Sequence, residues 1–484
     1  MAQRKPISRG FMALLVALVI VLVALLGVAC YITSIDPNQT DPTGPSQTDT
    51  APPTDPPTDP PTEPPTDPPT EPPTEPPIVK ESTATILSTG DLLMHLPVVN
   101  SAVITDGVYD FAGAFQYIKD YVVSADYAVA NLETTLAGLD NGYKYSGYPQ
   151  FNCPDGIVTS AGSAGFDMLL TANNHTYDTF STGFFRTQQV IREAGLDHLG
   201  TIESTDDTLW QVHDINGIKV GMVCYTYETN ADPNKVALNG IGMNNETKEL
   251  ISTYYQDGYL RYNEEELAPF YENVTNNIAD MKAAGAEAIV FYIHWGVEYE
   301  TTERSYQNKM AQKLCDLGVD VIVGGHPHMV QPMELLTSTE DPNRKTVCLY
   351  SMGNALSNQN RDAMETQKSG HTEDGVLFSI TFAKYSDGTV ILESADILPT
   401  WVNRHWSGSK GSFLYPILPL DTEIEDWQTQ FSLSDNGLAR AKASYDRTMA
   451  IVGEGLAEIQ TYLADLVAET EAALGVVNTE NGGN

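Results

Sequence analysis

The chain has 484 residues, of which 26 are Lys or Arg and 64 are Asp or Glu, so its formal net charge is −38. Such an acidic balance argues against nucleic acid as a partner and against binding to the surface of anionic lipid, because both would be repelled by the average surface. Hydrophobic residues make up 42% of the chain. This excludes disorder throughout and allows one large domain or two ordinary ones.

The N-terminus contains one long apolar segment. Residues 11–32 carry no charged side chain, and about 20 apolar residues are needed to cross a bilayer as a helix. Arginine and lysine side chains precede the segment, so the positive-inside rule places residues 1–10 in the cytoplasm and the rest of the chain outside. The sequence therefore predicts an uncleaved single-pass anchor in the cell membrane. A cleaved signal peptide and a lipid-modified Cys30 are the alternatives.

A proline-rich segment follows the anchor. Residues 41–77 contain the repeat TDPPTDPPTEPPTDPPTEPPTEPP, and proline can join neither a helix interior nor a central strand. Such a segment is typical of polyproline II, with roughly 3.1 Å per residue. We therefore expect residues 33–80 to be a disordered stalk that holds the next domain away from the membrane. A solvated linker without a selected length is the alternative.

Residues 81–402 alternate between short apolar segments and helical patterns, which predicts an α/β domain. The predicted strands are residues 84–90, 127–133, 167–173, 219–227, 288–295, 319–325 and 347–353. The predicted helices are residues 111–124, 182–194, 267–284 and 305–317. In open α/β sheets, ligands bind beyond the carboxyl ends of the strands, so chemistry is expected where these strands end.

Polar side chains follow most of the predicted strands. The groups in chain order are Gly90-Asp91 with His95, Asn131-Leu132-Glu133, Asn173-Asn174-His175 with Asp178, His294-Trp295-Gly296 with Glu298, Gly324-Gly325-His326-Pro327-His328, and Ser351-Met352-Gly353-Asn354. Imidazole, carboxylate and amide oxygen together suit Zn, Mn or Fe. Taken singly, each group fits a turn or a structural histidine. Together at one end of a sheet they favour a metal site, and two such metals can acidify water and stabilise an in-line displacement.

In this order, over residues 84–357, the motifs GD, NLE, NNH-x-x-D, HWG-x-E-Y, GGHPH-x-x-Q and S-x-GN resemble the CapA family of poly-γ-glutamate capsule proteins. That family is similar to the calcineurin-like metallophosphoesterases. The resemblance implies a four-layer α/β/β/α sandwich with a site at one edge of two packed sheets. It also implies a membrane-anchored role in the synthesis, export or anchoring of poly-γ-glutamate or a related anionic polymer, beside membrane-bound synthesis subunits. A wall-facing phosphoesterase and a non-catalytic polymer-binding subunit are the alternatives.

The resemblance also implies a role for each residue. The implied ligands are Asp91 and His328 for a first divalent metal, Glu133 as the bridge, and Asn174, His294 and His326 for a second. His175 would be an acid near the leaving oxygen, with Asp178 orienting it. Leu93 stands where phosphoesterases have a histidine. Further candidates for the site are His95, Glu298, Asn131 and Asn354.

The C-terminal part is expected to complete a sheet and then turn helical. Residues 376–402 alternate around Ser386-Asp387-Gly388, which predicts a hairpin. Residues 403–475 are predicted to be a mostly helical extension, whose long helix is capped by Ser434 or Asp435. Packing on the flank of the domain is favoured over a lid or a partner-binding helix. Residues 476–484 are expected to be a disordered tail.

Overall fold

The computed structural model describes residues 77–229, 235–256 and 261–476. The predicted membrane anchor, the predicted stalk up to residue 76 and residues 477–484 of the predicted tail lie outside these ranges. Among the described residues, none of the helices combines the length and the apolar character that crossing a bilayer requires.

The described chain forms two large sheets and three short hairpins. Strands β1 to β8 are Lys80–Leu93, Val103–Thr105, Val108–Tyr109, Tyr127–Glu133, Met168–Leu170, Asp197–Leu199, Trp210–Ile215 and Ile218–Tyr227. Strands β9 to β16 are Ala237–Leu238, Ile241–Gly242, Thr253–Tyr254, Ala288–His294, Val321–Gly325, Met333–Thr337, Lys345–Leu349 and Asn354–Leu356. Strands β17 to β21 are Asp374–Tyr385, Val390–Val402, His405–Ser407, Ser412–Leu414 and Ile417–Pro419.

Helices cover the outer faces of the large sheets and one side of the molecule. Helices α1 to α9 are Leu96–Ser101, Ala112–Phe115, Lys119–Val123, Gly156–Ala164, Phe180–Glu193, Glu264–Ala283, Ser305–Leu317, Trp427–Gln430 and Asp435–Leu474. Short 3-10 turns occur at Asp140–Gly142 and His371–Glu373.

Both large sheets combine parallel and antiparallel strands. The first has the order β21–β18–β17–β1–β4–β5–β6, with β16 beside β1. Strands β16, β1, β4, β5 and β6 run parallel to one another. The second has the order β11–β8–β12–β13–β15–β14, with β7 beside β8. In this sheet β11, β8, β12, β13 and β15 run parallel to one another. Strands β14 and β7 are antiparallel edge strands. The carboxyl ends of the parallel strands therefore form one edge in each sheet.

The two sheets pack face to face around a shared core. The sequence of β12 is almost continuously apolar because its side chains alternate between two faces that are both buried. Val290 and Tyr292 join the core between the sheets, whereas Ile289 and Phe291 pack with α6 and α7. Helices α1 to α4 cover the outer face of the first sheet. This is the four-layer α/β/β/α order that the resemblance implies.

Strands such as β7 and β14 lie outside every predicted strand, and two of the predictions need correction. The helix predicted over residues 111–124 is interrupted, and α2 and α3 replace it. Phe115, Ile118 and Val122 are buried in one cluster on both sides of the turn, so apolar spacing alone does not reveal the break. The first sheet also continues past the predicted boundary at residue 402, because β21 pairs with β18.

Helix α9 packs on the flank of the sandwich, as expected. The Ser434 side chain accepts a hydrogen bond from the Gly437 N–H, which confirms the predicted cap. The helix lies against β18 and β14. The buried side chains that it adds to the core between the sheets are Val452, Leu456, Ile459 and Leu463. Gly455 allows this close approach, since a Cβ atom there would lie 2.0 Å from the carbonyl oxygen of Met333.

Two glycines of α9 provide a test of this packing. We expect Gly455→Ala to destabilise the protein by about 2 kcal/mol or more, because the helix must move away from β14. Gly453→Ala is the matched control, since its Cβ would meet nothing closer than 3.7 Å and alanine favours a helix by about 1 kcal/mol. Denaturant unfolding of both variants measures the difference. Equal effects of the two substitutions would contradict the packing described.

Candidate metal centre

The predicted site residues converge where the carboxyl ends of strands from both sheets meet. Strands β1 and β4 supply Asp91 and Glu133 from the first sheet, and β12 supplies His294 from the second. His326 and His328 follow β13 in a tight turn, in which both have positive φ values of 98° and 55°. All five side chains are buried. Residues far apart in sequence are thus brought together by the packing of the two sheets.

These side chains form two groups that share one carboxylate. Glu133 with His294 and His326 forms one group, and Glu133 with Asp91 and His328 forms the other. In each group the potential ligand atoms lie within 4.8 Å of one another. A shared carboxylate between two sets of nitrogen and oxygen donors is compatible with the binding of divalent cations.

The environment of Glu133 tests whether a cation fits. Among the described residues, no N–H or O–H group donates a hydrogen bond to either carboxylate oxygen, although both are fully buried. Oε1 lies 3.6 Å from His294 Nε2, and Oε2 lies 3.9 Å from His328 Nδ1. Burial and the negative charge of Asp91 raise the pKa of Glu133 well above its ordinary value. A buried charge without a partner is costly, so this donor set is compatible with divalent metal binding.

Two of the histidines, His294 and His326, are held in the neutral form that metals bind. Burial lowers the pKa of His294 to about 3. The negative charge of Asp91 opposes this shift only in part. Burial and the nearby His294 lower the pKa of His326 well below its ordinary value. Neutral imidazole is the ligand form, and the His326 Nδ1 atom has no hydrogen-bond partner among the residues that the structure describes. The Oδ1 atom of Asn174 lies 2.7 Å from His294 Nε2, which places this predicted ligand beside the same group.

Asp91 is held by hydrogen bonds on both oxygens. Its Oδ1 accepts from Asn131 at 2.8 Å, and its Oδ2 lies 3.0 Å from His328 Nδ1. Burial raises the pKa of Asp91, but the hydrogen bond and charge of His328 outweigh that effect, so its pKa is lowered. An ionised Asp91 therefore contrasts with the protonation-prone Glu133.

Two of the further candidates support the site without belonging to either group. Asn131 orients Asp91 and accepts a hydrogen bond from Asn173 at 3.1 Å. Asn354 donates to the backbone carbonyl of His328 at 3.2 Å, so it steadies the turn that carries both histidines. Each contact fixes the position of a neighbouring group.

The other two candidates lie near the groups but outside them. His95 is half-buried, its Nδ1 lies 3.3 Å from the Leu93 carbonyl, and its ring packs edge-on against Phe151. Burial and the nearby His328 lower the pKa of His95 to about 4. Glu298 is half-buried and adds to the negative field that raises the pKa of Glu133.

His175 and Asp178 form the predicted pair. Nδ1 of His175 lies 2.7 Å from Oδ2 of Asp178, and both side chains are buried. The His175 ring packs edge-on against Phe151 with centroids 4.6 Å apart. The carboxylate thus favours a hydrogen on Nδ1 and orients the ring.

Sequence reasoning missed three residues that shape this region. Asn173 lies in a recognised motif but received no role, and Tyr227 ends β8 beside His326, with its Oη 3.2 Å from Nε2. Asn239 contacts Asp178 from a hairpin. The Asn239-Gly240 pair is a strong hairpin signal, yet it does not reveal what the turn contacts.

The fold and the paired ligand groups define a class of proteins with a candidate binuclear metal centre at one edge of an α/β/β/α sandwich. The family model described as "Bacterial capsule synthesis protein PGA_cap" matches residues 85–359. The match covers more than half of the chain, which therefore belongs to this family.

Two curated relatives carry related names. The chain is 26% identical over 320 residues to the "Capsule biosynthesis protein CapA" of Bacillus anthracis, covering 65% of this chain and 66% of the relative. It is 25% identical over 253 residues to the "PGA biosynthesis protein CapA" of Bacillus subtilis (strain 168), covering 51% of this chain and 57% of the relative. The alignments thus span 66% of the first relative and 57% of the second, less than two thirds of either.

Two solved structures resemble parts of the fold. One is the Haemophilus influenzae NAD nucleotidase, with a TM-score of 0.39 and 12% identity over 81% of this chain and 68% of that one. The other is a putative 5'-nucleotidase from Staphylococcus aureus in complex with alpha-ketoglutarate, with a TM-score of 0.37 and 14% identity over 75% and 58% of the two chains.

The raised pKa of Glu133 predicts a pH-dependent cost in metal-free protein. Between its ordinary pKa and its raised pKa, the folded state keeps a proton that the unfolded state releases, so stability falls as pH rises. Glu133→Gln removes this cost. We expect the variant to gain about 1–3 kcal/mol over the native protein when pH rises from 5 to 8 in chelator.

Thermal unfolding at the two pH values measures this gain, and Glu458→Gln, at an exposed position of α9, is the control. A stability difference between Glu133→Gln and the native protein that is the same at both pH values would contradict the account.

Proposed function

We propose that the chain is a membrane-anchored, extracytoplasmic capsule-synthesis protein whose metal centre hydrolyses a bond in poly-γ-glutamate or a related anionic cell-surface polymer. The observation that carries this proposal is the unpartnered Glu133 carboxylate between two sets of metal-ligating side chains. Family membership supports the capsule role, since both relatives are named for capsule or PGA biosynthesis.

The proposed roles follow from the geometry. Asp91, Glu133 and His328 would hold one divalent cation, and Glu133, His294 and His326 the other, with Asn174 beside the second; Mn, Fe and Zn suit these donors. Two bound cations would polarise a carbonyl or phosphoryl oxygen and make water more acidic. His175 would act as an imidazolium that Asp178 stabilises; donation of the Nε2 proton to the leaving atom would leave a neutral imidazole with its hydrogen on Nδ1.

Charge supports a requirement for the cations. Two of the basic side chains are already neutralised, since Arg186 pairs with Asp155 and Arg361 pairs with Glu373. The site itself presents carboxylates, so an anionic polymer would be repelled without added positive charge. Two divalent cations would reverse the sign of this edge and attract the polymer.

The position of the centre fits the proposed anchoring through residues 11–32. The described domain enters β1 at Lys80, whereas Asp91 lies near the other end of that strand. Twelve strand residues span roughly 40 Å. The metal edge therefore lies far from the point at which the chain enters the domain, and a tether at that point would leave the edge accessible.

Hydrolysis assays test the proposal. We expect the metal-loaded protein to cleave poly-γ-glutamate, and His175→Ala to lower kcat by about 10²–10⁴-fold while retaining metal. His405→Ala changes an exposed histidine outside the site and is the control. Product formation is followed by chromatography of the polymer and, in parallel, with phosphomonoesters and phosphodiesters.

The alternatives give different outcomes in the same assays. Cleavage of phosphoesters alone would replace the proposal by a wall-facing phosphoesterase. Tight metal binding and polymer binding without cleavage of either bond would support a non-catalytic subunit that works with membrane-bound synthesis partners.

A further inference from the structure

A small hairpin carries an asparagine to the His175–Asp178 pair. Strands β9 and β10 are joined by Asn239-Gly240, whose φ values are 48° and 72°. Asn-Gly is the preferred pair for a two-residue turn with positive φ at both positions. The local sequence therefore builds a tight tip, and the Asn239 side chain extends from it.

Both amide hydrogens of Asn239 are used. Nδ2 donates to Asp178 Oδ1 at 2.8 Å and to the Pro149 carbonyl at 2.7 Å. The reverse amide orientation would place an oxygen against two acceptors, so the hydrogen-bond pattern fixes the orientation. His175 Nδ1, 3.3 Å away, gives its hydrogen to Asp178 instead.

Asn239 completes the set of donors around Asp178. Oδ1 accepts from Asn239, whereas Oδ2 accepts from the backbone N–H of Phe151 at 2.7 Å and lies 2.7 Å from His175 Nδ1. The carboxylate is fully buried. Three donors from three separate segments therefore prevent it from rotating, and its direction determines the direction of the His175 ring.

We propose that Asn239 is a positioning residue for the His175–Asp178 pair, an inference that rests on the proposed hydrolase function. Without its amide, Asp178 Oδ1 loses its partner in a buried site, and the loop at Pro149 loses its tie to the hairpin. The imidazole would then sample orientations that do not deliver a proton. Metal binding would be unaffected, because Asn239 contacts none of the proposed metal ligands in the described chain.

The chain offers a matched control in a second hairpin. Asn216-Gly217 joins β7 and β8, Asn216 has a φ of 53°, and its Nδ2 donates to the Thr83 carbonyl at 3.1 Å. Asn216→Ala therefore imposes the same backbone strain and loses a similar hydrogen bond, away from the site.

Kinetics and metal analysis of the full chain form the first measurement. We expect Asn239→Ala to lower kcat by about 10–100-fold with little change in KM or metal content, and Asn239→Asp to lower it further by repelling Asp178. Asn216→Ala should keep native kcat. Equal kcat values for Asn239→Ala and Asn216→Ala would overturn the inference.

A second measurement does not depend on turnover. In protein labelled with ¹⁵N-histidine, the downfield Nδ1–H signal of His175 is assigned by its absence in His175→Ala. We expect it to shift or broaden in Asn239→Ala and to stay unchanged in Asn216→Ala. An unchanged signal in Asn239→Ala would overturn the inference. If the native protein cleaves nothing, the proposed function fails, and this signal alone decides whether Asn239 positions the pair.

Discussion

The candidate metal centre depends on the buried carboxylate of Glu133, which accepts no hydrogen bond from the described residues. Glu133 lies within reach of two sets of ligand atoms. Its neighbours add negative charge, which raises its pKa further. Such an arrangement lowers the stability of the metal-free fold and is relieved by cations. The same feature that costs stability is therefore the one that would favour binding of divalent cations.

The two-sheet architecture is what makes this arrangement achievable. One sheet contributes Asp91 and Glu133, the other contributes His294, and the turn after β13 adds two more histidines. Cores on both faces of each sheet hold these strand ends in place. Helix α9 fastens the two sheets along one flank, where β18 and β14 lie, so the relative position of the ligands depends on residues distant from the site.

Much of this could be predicted from the sequence, and the remainder has a physical explanation. Apolar runs such as that of β12 report burial on both faces, and polar residues at strand ends indicate one chemical edge. Long-range pairing is not encoded locally. The sequence around Asn239 does not predict its contact with Asp178. In the same way, the sequence from Leu93 to His95 does not predict that His95 lies outside both ligand groups. The break between α2 and α3 is hidden because apolar periodicity continues across it.

On the proposed function, two cations would share Glu133, and electron paramagnetic resonance of the Mn²⁺-loaded protein can detect that sharing. We expect metal analysis to find about two Mn²⁺ per chain and the spectrum to show a spin-coupled signal. Glu133→Ala should abolish the coupling, whereas His405→Ala should preserve it. A single uncoupled Mn²⁺ in the native protein, or coupling that survives in Glu133→Ala, would contradict the shared-carboxylate centre.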